Sequence, residues 1–240
     1  MGAQWKHAGR IANSSKRGAL LSKLVKEIIV AAKTGGASYD GNSRLRAAVE
    51  SAKKQSVPRD NIERAIKKGA GIGDEAVHYE LITYEGFAPH QIPVIVECLT
   101  DNKNRTAADI RVLFRKGQLG AMGSVGWQFD RMGVIEAARE GAGYDIEEAA
   151  IEAGAQNVDA FTGDDVVSGQ TGATFFCDVT DLDTVNKALS TQGWIVTKSE
   201  MNYLAKSFMD LAEEQKKEVA EFLNAVDEHD DVHRVYAALK

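Results

Sequence analysis

The stretch IPVIVECLTDNKNRTAADIR, residues 92 to 111, sets the reading of the whole chain. Its first eight residues are almost uniformly apolar, as expected of a central strand covered on both faces, with Pro93 tolerable only at the strand's start or on an edge. Turn-forming residues follow, and from 104 to 116 Ala107, Ile110, Leu113 and Phe114 recur at helical spacing. A strand thus runs directly into a helix, with Asp101, Asn102, Asn104 and Thr106 at the junction. The helix start exposes N–H groups that have no intrahelical partner, and with Lys103, Arg105, Arg111 and Arg115 nearby it is suited to phosphate. Capping explains the same residues: Asn104 or Thr106 closes the helix, Asp101 fixes the turn and the arginines face water. The two readings are compatible, and residue types alone do not separate them.

Upstream, the apolar period is helical. Residues 19 to 34 place Leu21, Leu24, Val25, Ile28 and Ala32 on one side and Lys23, Lys26 and Lys33 on the other, ending at Gly35 and Gly36. A second helix over about 42 to 55 turns Leu45, Ala48, Val49 and Ala52 inward and Arg44, Arg46, Lys53 and Lys54 mostly outward. Pro58 opens a third, with Ile62, Ala65 and Ile66 as its stripe. Gly69, Gly71 and Gly73 then make a linker, so residues 1–73 read as a small basic three-helix domain. Its N-terminal arm carries Trp5, Lys6, His7, Arg10, Lys16 and Arg17, with Trp5 placed to stack on a base.

Downstream, the period turns to that of strands. VHYELITYEG reads as one, and two more are expected at 125 to 130 and 133 to 137, with a turn at Arg131 to Gly133 as the seam between domains. Beyond it come a helix (145 to 152), strands at 158 to 161 and 173 to 179, a helix (181 to 191) and a strand (194 to 199). This βαββαβ succession is ferredoxin-like. A last helix over 208 to 226 and the strand VHRVYAAL have nothing local to pack on, so they are expected to complete the sheet begun at residue 77. The expected fold is α+β in three domains: 1–73; 77–130 with 203–240, a discontinuous α+β domain; and 131–202, the ferredoxin-like unit, with antiparallel or mixed sheets.

Charge sharpens the functional reading. Residues 1–73 hold 15 Lys and Arg against five Asp and Glu, a balance of +10, while the remainder holds 14 against 30, a balance of −16, within a total of −6 over 240 residues. A basic segment gathers polyanion, and an acidic remainder keeps the molecule off unselected nucleic acid or docks on something basic. The competing reading is that the two parts attract each other. Cys98 and Cys177 lie in apolar runs and read as buried hydrophobes in a reducing compartment. No apolar run approaches a membrane span, and the basic N-terminus lacks a secretory h-region.

Catalytic signatures are missing: there is no G-x-S-x-G elbow, P-loop or dinucleotide fingerprint. His229, Asp230, Asp231 and His233 are the nearest approach to a metal set, but their segment spans a helix-to-strand turn. The chain therefore reads as a non-enzyme with no cofactor and no metal, cytoplasmic and monomeric.

The segments RLRAAVESAKKQSVPRDNIERAIKKGAG, TYEGFAP, VIVECLTDNKNRTAADIR, GSVGWQFDRMGVI and DIEEAAIEAGA resemble those of the YebC family, which includes the mitochondrial translational activator of cytochrome oxidase. The resemblance runs through all three expected units. It implies a three-domain, non-enzymatic cytoplasmic protein, usually a DNA-binding transcriptional regulator; the alternative it carries is a translation factor that contacts rRNA in the ribosome and relieves stalling. Binding positions carried over by resemblance are Lys23, Lys26, Arg44, Arg46, Lys67 and Lys68 in the helical segment and Asp101, Asn102, Asn104, Arg105, Thr106 and Arg111 in the second. Two departures stand out. MGAQWKHAGRI replaces the family's Gly-His-Ser-Lys-Trp type of opening, and HQIP at 90 to 93 replaces a glycine-rich turn, which implies a stiffer loop.

Overall fold

The computed structural model describes residues 14–72, 79–141, 143–160 and 169–239, apart from the side chains of residues 14–17, 19 and 43. Three helices come first: α1 (Ser14–Gly35), α2 (Ser43–Lys54) and α3 (Arg59–Ala70). The Asn42 side chain fixes the α1–α2 turn, accepting the Leu45 N–H at 2.9 Å and donating to Ala31 O and Gly36 O at 2.8 Å each. Gly69 lets α3 approach α1 closely, since a Cβ there would lie 2.3 Å from Ile29 O.

The described residues then form β1 (Glu80–Ala88), β2 (Ile92–Thr100), α4 (Lys103–Leu113), β3 (Gln118–Leu119), β4 (Phe129–Glu140), α5 (Ile146–Ala153), β5 (Asn157–Ala160), β6 (Gln170–Cys177), α6 (Leu182–Thr191), β7 (Ile195–Ala205), α7 (Glu213–Asp227) and β8 (Val232–Ala237). The fold is α+β: a helical N-terminal region followed by two four-stranded sheets, of order β3-β1-β2-β8 and β5-β6-β4-β7. Pairings β1–β2, β2–β8, β4–β6 and β5–β6 are antiparallel. The second sheet, with its β4-α5-β5-β6-α6-β7 succession, has the ferredoxin-like order.

By contact the chain falls into two compact units. One takes Met1–Lys26, Gly73–Asp130 and Tyr203–Lys240; the other takes Glu27–Ile72 and Arg131–Asn202. In the first, β2 is buried along both faces except at Glu97, as its unbroken apolar run requires. Val94, Val96 and Cys98 pack with Ile110 of α4, with Phe114 just after it and with Val219, Phe222, Leu223 and Val226 of α7, while Ile95 joins Val125, Phe129 and Tyr236 in a second cluster. Phe114 and Phe222 meet edge-on, with centroids 5.2 Å apart, an arrangement that adds about 1 kcal/mol beyond area burial. In the second unit Ile135, Ala137, Phe175, Val185, Leu189 and Trp194 form the core with the alanine face of α5.

Several boundaries differ from expectation. No turn interrupts residues 131 to 133, because β4 runs continuously through them. Gly133 serves packing instead: a Cβ there would meet Cys177 Sγ at 2.8 Å and Leu182 Cδ1 at 2.9 Å. Residues 126 to 128 form a 3-10 turn, and α7 starts at Glu213 instead of 208. The HQIP loop keeps a glycine-like backbone without glycine: His90 and Gln91 have φ of 61° and 59°, and His90 Nε2 lies 2.8 Å from Glu218 Oε2.

Candidate nucleic-acid interface

The strand-to-helix junction is closed by Asn102, whose Oδ1 accepts the Arg105 N–H at 3.1 Å. The cap is neither Asn104, which is exposed, nor Thr106, which is fully buried. Asn102's own N–H donates to Thr100 Oγ1 at 2.9 Å. The Thr106 hydroxyl lies 2.7 Å from Asp231 Oδ2, to which it donates, and 2.7 Å from Thr100 Oγ1. Asp231 thus braces the start of α4 from the loop before β8, where its backbone carbonyl also accepts the Leu99 N–H at 2.8 Å. Burial by itself would raise the Asp231 carboxyl; the hydrogen bonds from Thr106 and Arg105 outweigh it and hold the group below the usual carboxylate range.

Arg105 is engaged by this scaffold. One guanidinium nitrogen lies 2.9 Å from Asp101 Oδ1 and 3.1 Å from Asp231 Oδ2, and both carboxylates raise the Arg105 pKa, Asp231 foremost. Lys103 pairs with Glu80 at 2.5 Å. Two carboxylates at the N-terminus of α4 already satisfy its dipole and would repel a phosphate. The cations left open lie further along the helix. Asn104, Ala108 and Arg111 are exposed at spacings that put them on one face of α4, and Arg115 and Lys116 are exposed in the 3-10 turn that follows it. Among the described residues Arg111, Arg115 and Lys116 have no ion pair.

The helical segment divides in the same way. Lys23 pairs with Asp227 of α7. The Lys26 ammonium is pushed below its usual range by burial, against the opposing fields of Asp231 and Asp230. Arg44 is buried and its Nε donates to Glu27 Oε1 at 2.8 Å. These three were expected on outward faces; their positions leave them inside the protein's own charge network. Arg46, Lys54 and Lys67 are exposed, and Lys68 is half-exposed. Arg46 donates to Tyr39 O at 2.8 Å, which orients it without neutralising it. Trp5, Lys6 and Arg10, and the side chains of Lys16 and Arg17, lie outside the described residues.

Sequence reasoning missed Asp231 as the hub of the junction, 126 positions from Arg105. The glycines of the loop after β3 read as a tight turn, but that Glu85 accepts the N–H groups of Gly123, Val125 and Gly126 at 2.9, 2.8 and 2.7 Å did not show in the sequence. Only the spacing of glycines and the adjacent Trp127 mark that loop in the sequence. Among the described residues, no helix is long and apolar enough to cross a membrane, and no group of three His, Cys, Asp or Glu is placed to hold a metal ion.

Comparison with known proteins adds the family. Residues 3–72 match the TACO1/YebC protein N-terminal domain, and residues 79–239 match the TACO1/YebC second and third domain. A probable transcriptional regulatory protein of Pseudomonas syringae pv. tomato is 54% identical over 241 residues, covering 100% of this chain and 99% of the relative. One from Bdellovibrio bacteriovorus is 49% identical with both chains fully covered. The crystal structure of the conserved hypothetical protein Aq1575 from Aquifex aeolicus superposes with a TM-score of 0.79 at 39% identity, over 99% of this chain and 96% of that one. The chain belongs to the TACO1/YebC family.

Proposed function

We propose that this TACO1/YebC family member is a non-catalytic, nucleic-acid-binding regulator of gene expression, acting in the cytoplasm as a DNA-binding transcriptional regulator. The observation that carries the reading is the set of cations left open after internal pairing. They are exposed, Arg46, Lys54 and Lys67 on α2 and α3, Arg111 on α4 and Arg115 in the 3-10 turn that follows it. Cations so placed release counterions when they meet phosphates, which is the sequence-independent part of nucleic-acid affinity. The relatives' name, probable transcriptional regulatory protein, supports regulation as the outcome of that contact. The reading takes the chain as three domains, 1–73, 77–130 with 203–240, and 131–202, the last acidic and suited to a protein partner.

The test is binding of full-length protein to labelled duplex DNA across a salt series. The expected result is an affinity that falls log-linearly with salt, and a slope about 2 units shallower in Arg111→Ala/Arg115→Ala. No binding at low salt would overturn the reading. The rival action, on the translating ribosome, is separated in growing cells by crosslinking: recovery of one defined rRNA site in place of promoter DNA, lost in the same double variant, would replace DNA with rRNA as the target.

A further inference from the structure

The loop between β3 and β4 presents large apolar side chains to solvent while its backbone is firmly tied. Met122 is 92% exposed and Trp127 is 68% exposed. Large exposed apolar groups on a well-fixed loop signal a contact surface more than a packing defect.

Four observations show that the loop is built to hold them out. The Glu85 carboxylate gathers three backbone N–H groups of the loop, as given above, and so acts as an internal anion in a nest. Gly123 takes φ +85°, so the tight turn favours glycine there, and at Gly120 a Cβ would lie 2.2 Å from Ser124 Oγ. Val125 and Phe129, on either side of Trp127, are buried in the core. The Gln128 carbonyl accepts the Lys206 N–H at 2.9 Å, fixing the exit of the loop to the end of β7.

The Trp127 indole N–H donates to Ser124 O at 3.2 Å. Its one polar group is therefore satisfied by the loop itself, and what it offers outward is aromatic surface. The exposed cations Arg115 and Lys116 precede the edge strand β3, which leads into the loop. Asp130 beyond it is matched by Lys206 at 3.2 Å. An exposed aromatic ring on a loop that open cations precede in the chain fits a strand with both a phosphate backbone and free base faces. In duplex DNA those faces are stacked away.

Resting on the nucleic-acid reading above, we infer that Trp127, on the same loop as exposed Met122 and downstream of the exposed Arg115 and Lys116, is a stacking platform for an unpaired base of single-stranded nucleic acid. Ordering it costs little on binding, because the loop is already fixed. The platform contributes affinity without base identity, since every base has a π-face.

The experiment is fluorescence anisotropy with full-length protein on a labelled single-stranded RNA, the same sequence as single-stranded DNA, and the corresponding duplex. Trp127→Ala is expected to weaken single-strand binding about ten-fold, with an unchanged salt slope, and to leave duplex binding within about two-fold. Trp127→Phe keeps most of the affinity. Equal loss on single strand and duplex, or no loss on either single strand while the wild type still binds, overturns the platform and leaves the nucleic-acid reading standing. Failure of the wild type to bind any strand at low salt overturns both. Ultraviolet crosslinking of the wild type gives an independent readout: the platform requires a base crosslinked to the peptide holding Trp127, and crosslinks confined to other peptides exclude it. A larger loss on RNA than on DNA assigns the platform to RNA.

Discussion

Asp231 is a single carboxylate on which the start of α4 depends. It receives the Thr106 hydroxyl at 2.7 Å and the Arg105 guanidinium at 3.1 Å, and its own N–H donates to His229 Nδ1 at 3.1 Å. Replacing Thr106 by valine keeps the shape and removes the donor, leaving a half-buried carboxylate short of one partner. The expected cost is about 1–3 kcal/mol in urea unfolding. The pH dependence follows from the lowered Asp231 pKa. Because the folded state holds the proton less readily than the unfolded chain, the carboxylate's contribution is fully present above the unfolded value near pH ~4 and is lost as pH falls through the folded value. The stability gap between the wild type and Asp231→Asn should therefore be constant at neutral pH and close in acid. A gap that widens in acid would show that Asp231 is not the ion the junction relies on.

At the scale of elements, α4 divides lengthwise: its N-terminal turn is scaffold and its exposed face is open. Local chemistry made most such elements legible. The buried run of β2, the helical stripes of α1 to α3 and the βαββαβ succession each follow from spacing that one segment carries by itself. What escaped the sequence was whatever needed a distant partner. Asp231 is bonded to residues more than a hundred positions away, and Gly133 resembles a turn residue until Cys177 and Leu182 are seen against it. Trp127 falls in the strand expected over 125 to 130, yet it sits in a 3-10 turn and is exposed, on a loop tied down by the distant Glu85. The same logic makes Gly69 informative. It too resembles a linker glycine, yet a Cβ there would press on Ile29 O at 2.3 Å and Ala32 Cβ at 2.8 Å. Gly69→Ala raises helix propensity by about 1 kcal/mol, so a merely flexible glycine would gain stability on substitution. Close packing predicts the opposite, a net loss of about 1–3 kcal/mol, seen as a lower urea midpoint at unchanged slope.

Across the whole molecule, a charge balance of +10 over residues 1–73 and −16 over the rest overstates the field available to a ligand, because some of the positive charge is already matched. Lys23 is paired with Asp227, Arg44 with Glu27, and Lys26 is desolvated facing Asp231 and Asp230. The remaining cations are a separate population, so the two sets should respond oppositely to removal. Arg44→Gln breaks the buried ion pair with Glu27 and is expected to cost about 3–5 kcal/mol of stability, with nucleic-acid affinity of the still-folded fraction unchanged. Arg46→Gln/Lys54→Gln/Lys67→Gln removes exposed charge and should leave the melting temperature nearly as it was, while the salt dependence of binding becomes shallower by about 3 units. Measured side by side by thermal melting and salt-series anisotropy, the two variants give a crossed pattern if internal pairing and ligand contact are divided between these residues. If Arg44→Gln weakens binding of folded protein as much as the triple variant does, the buried pair opens to meet phosphates, and residues engaged within the fold would have to be counted among those that act outside it.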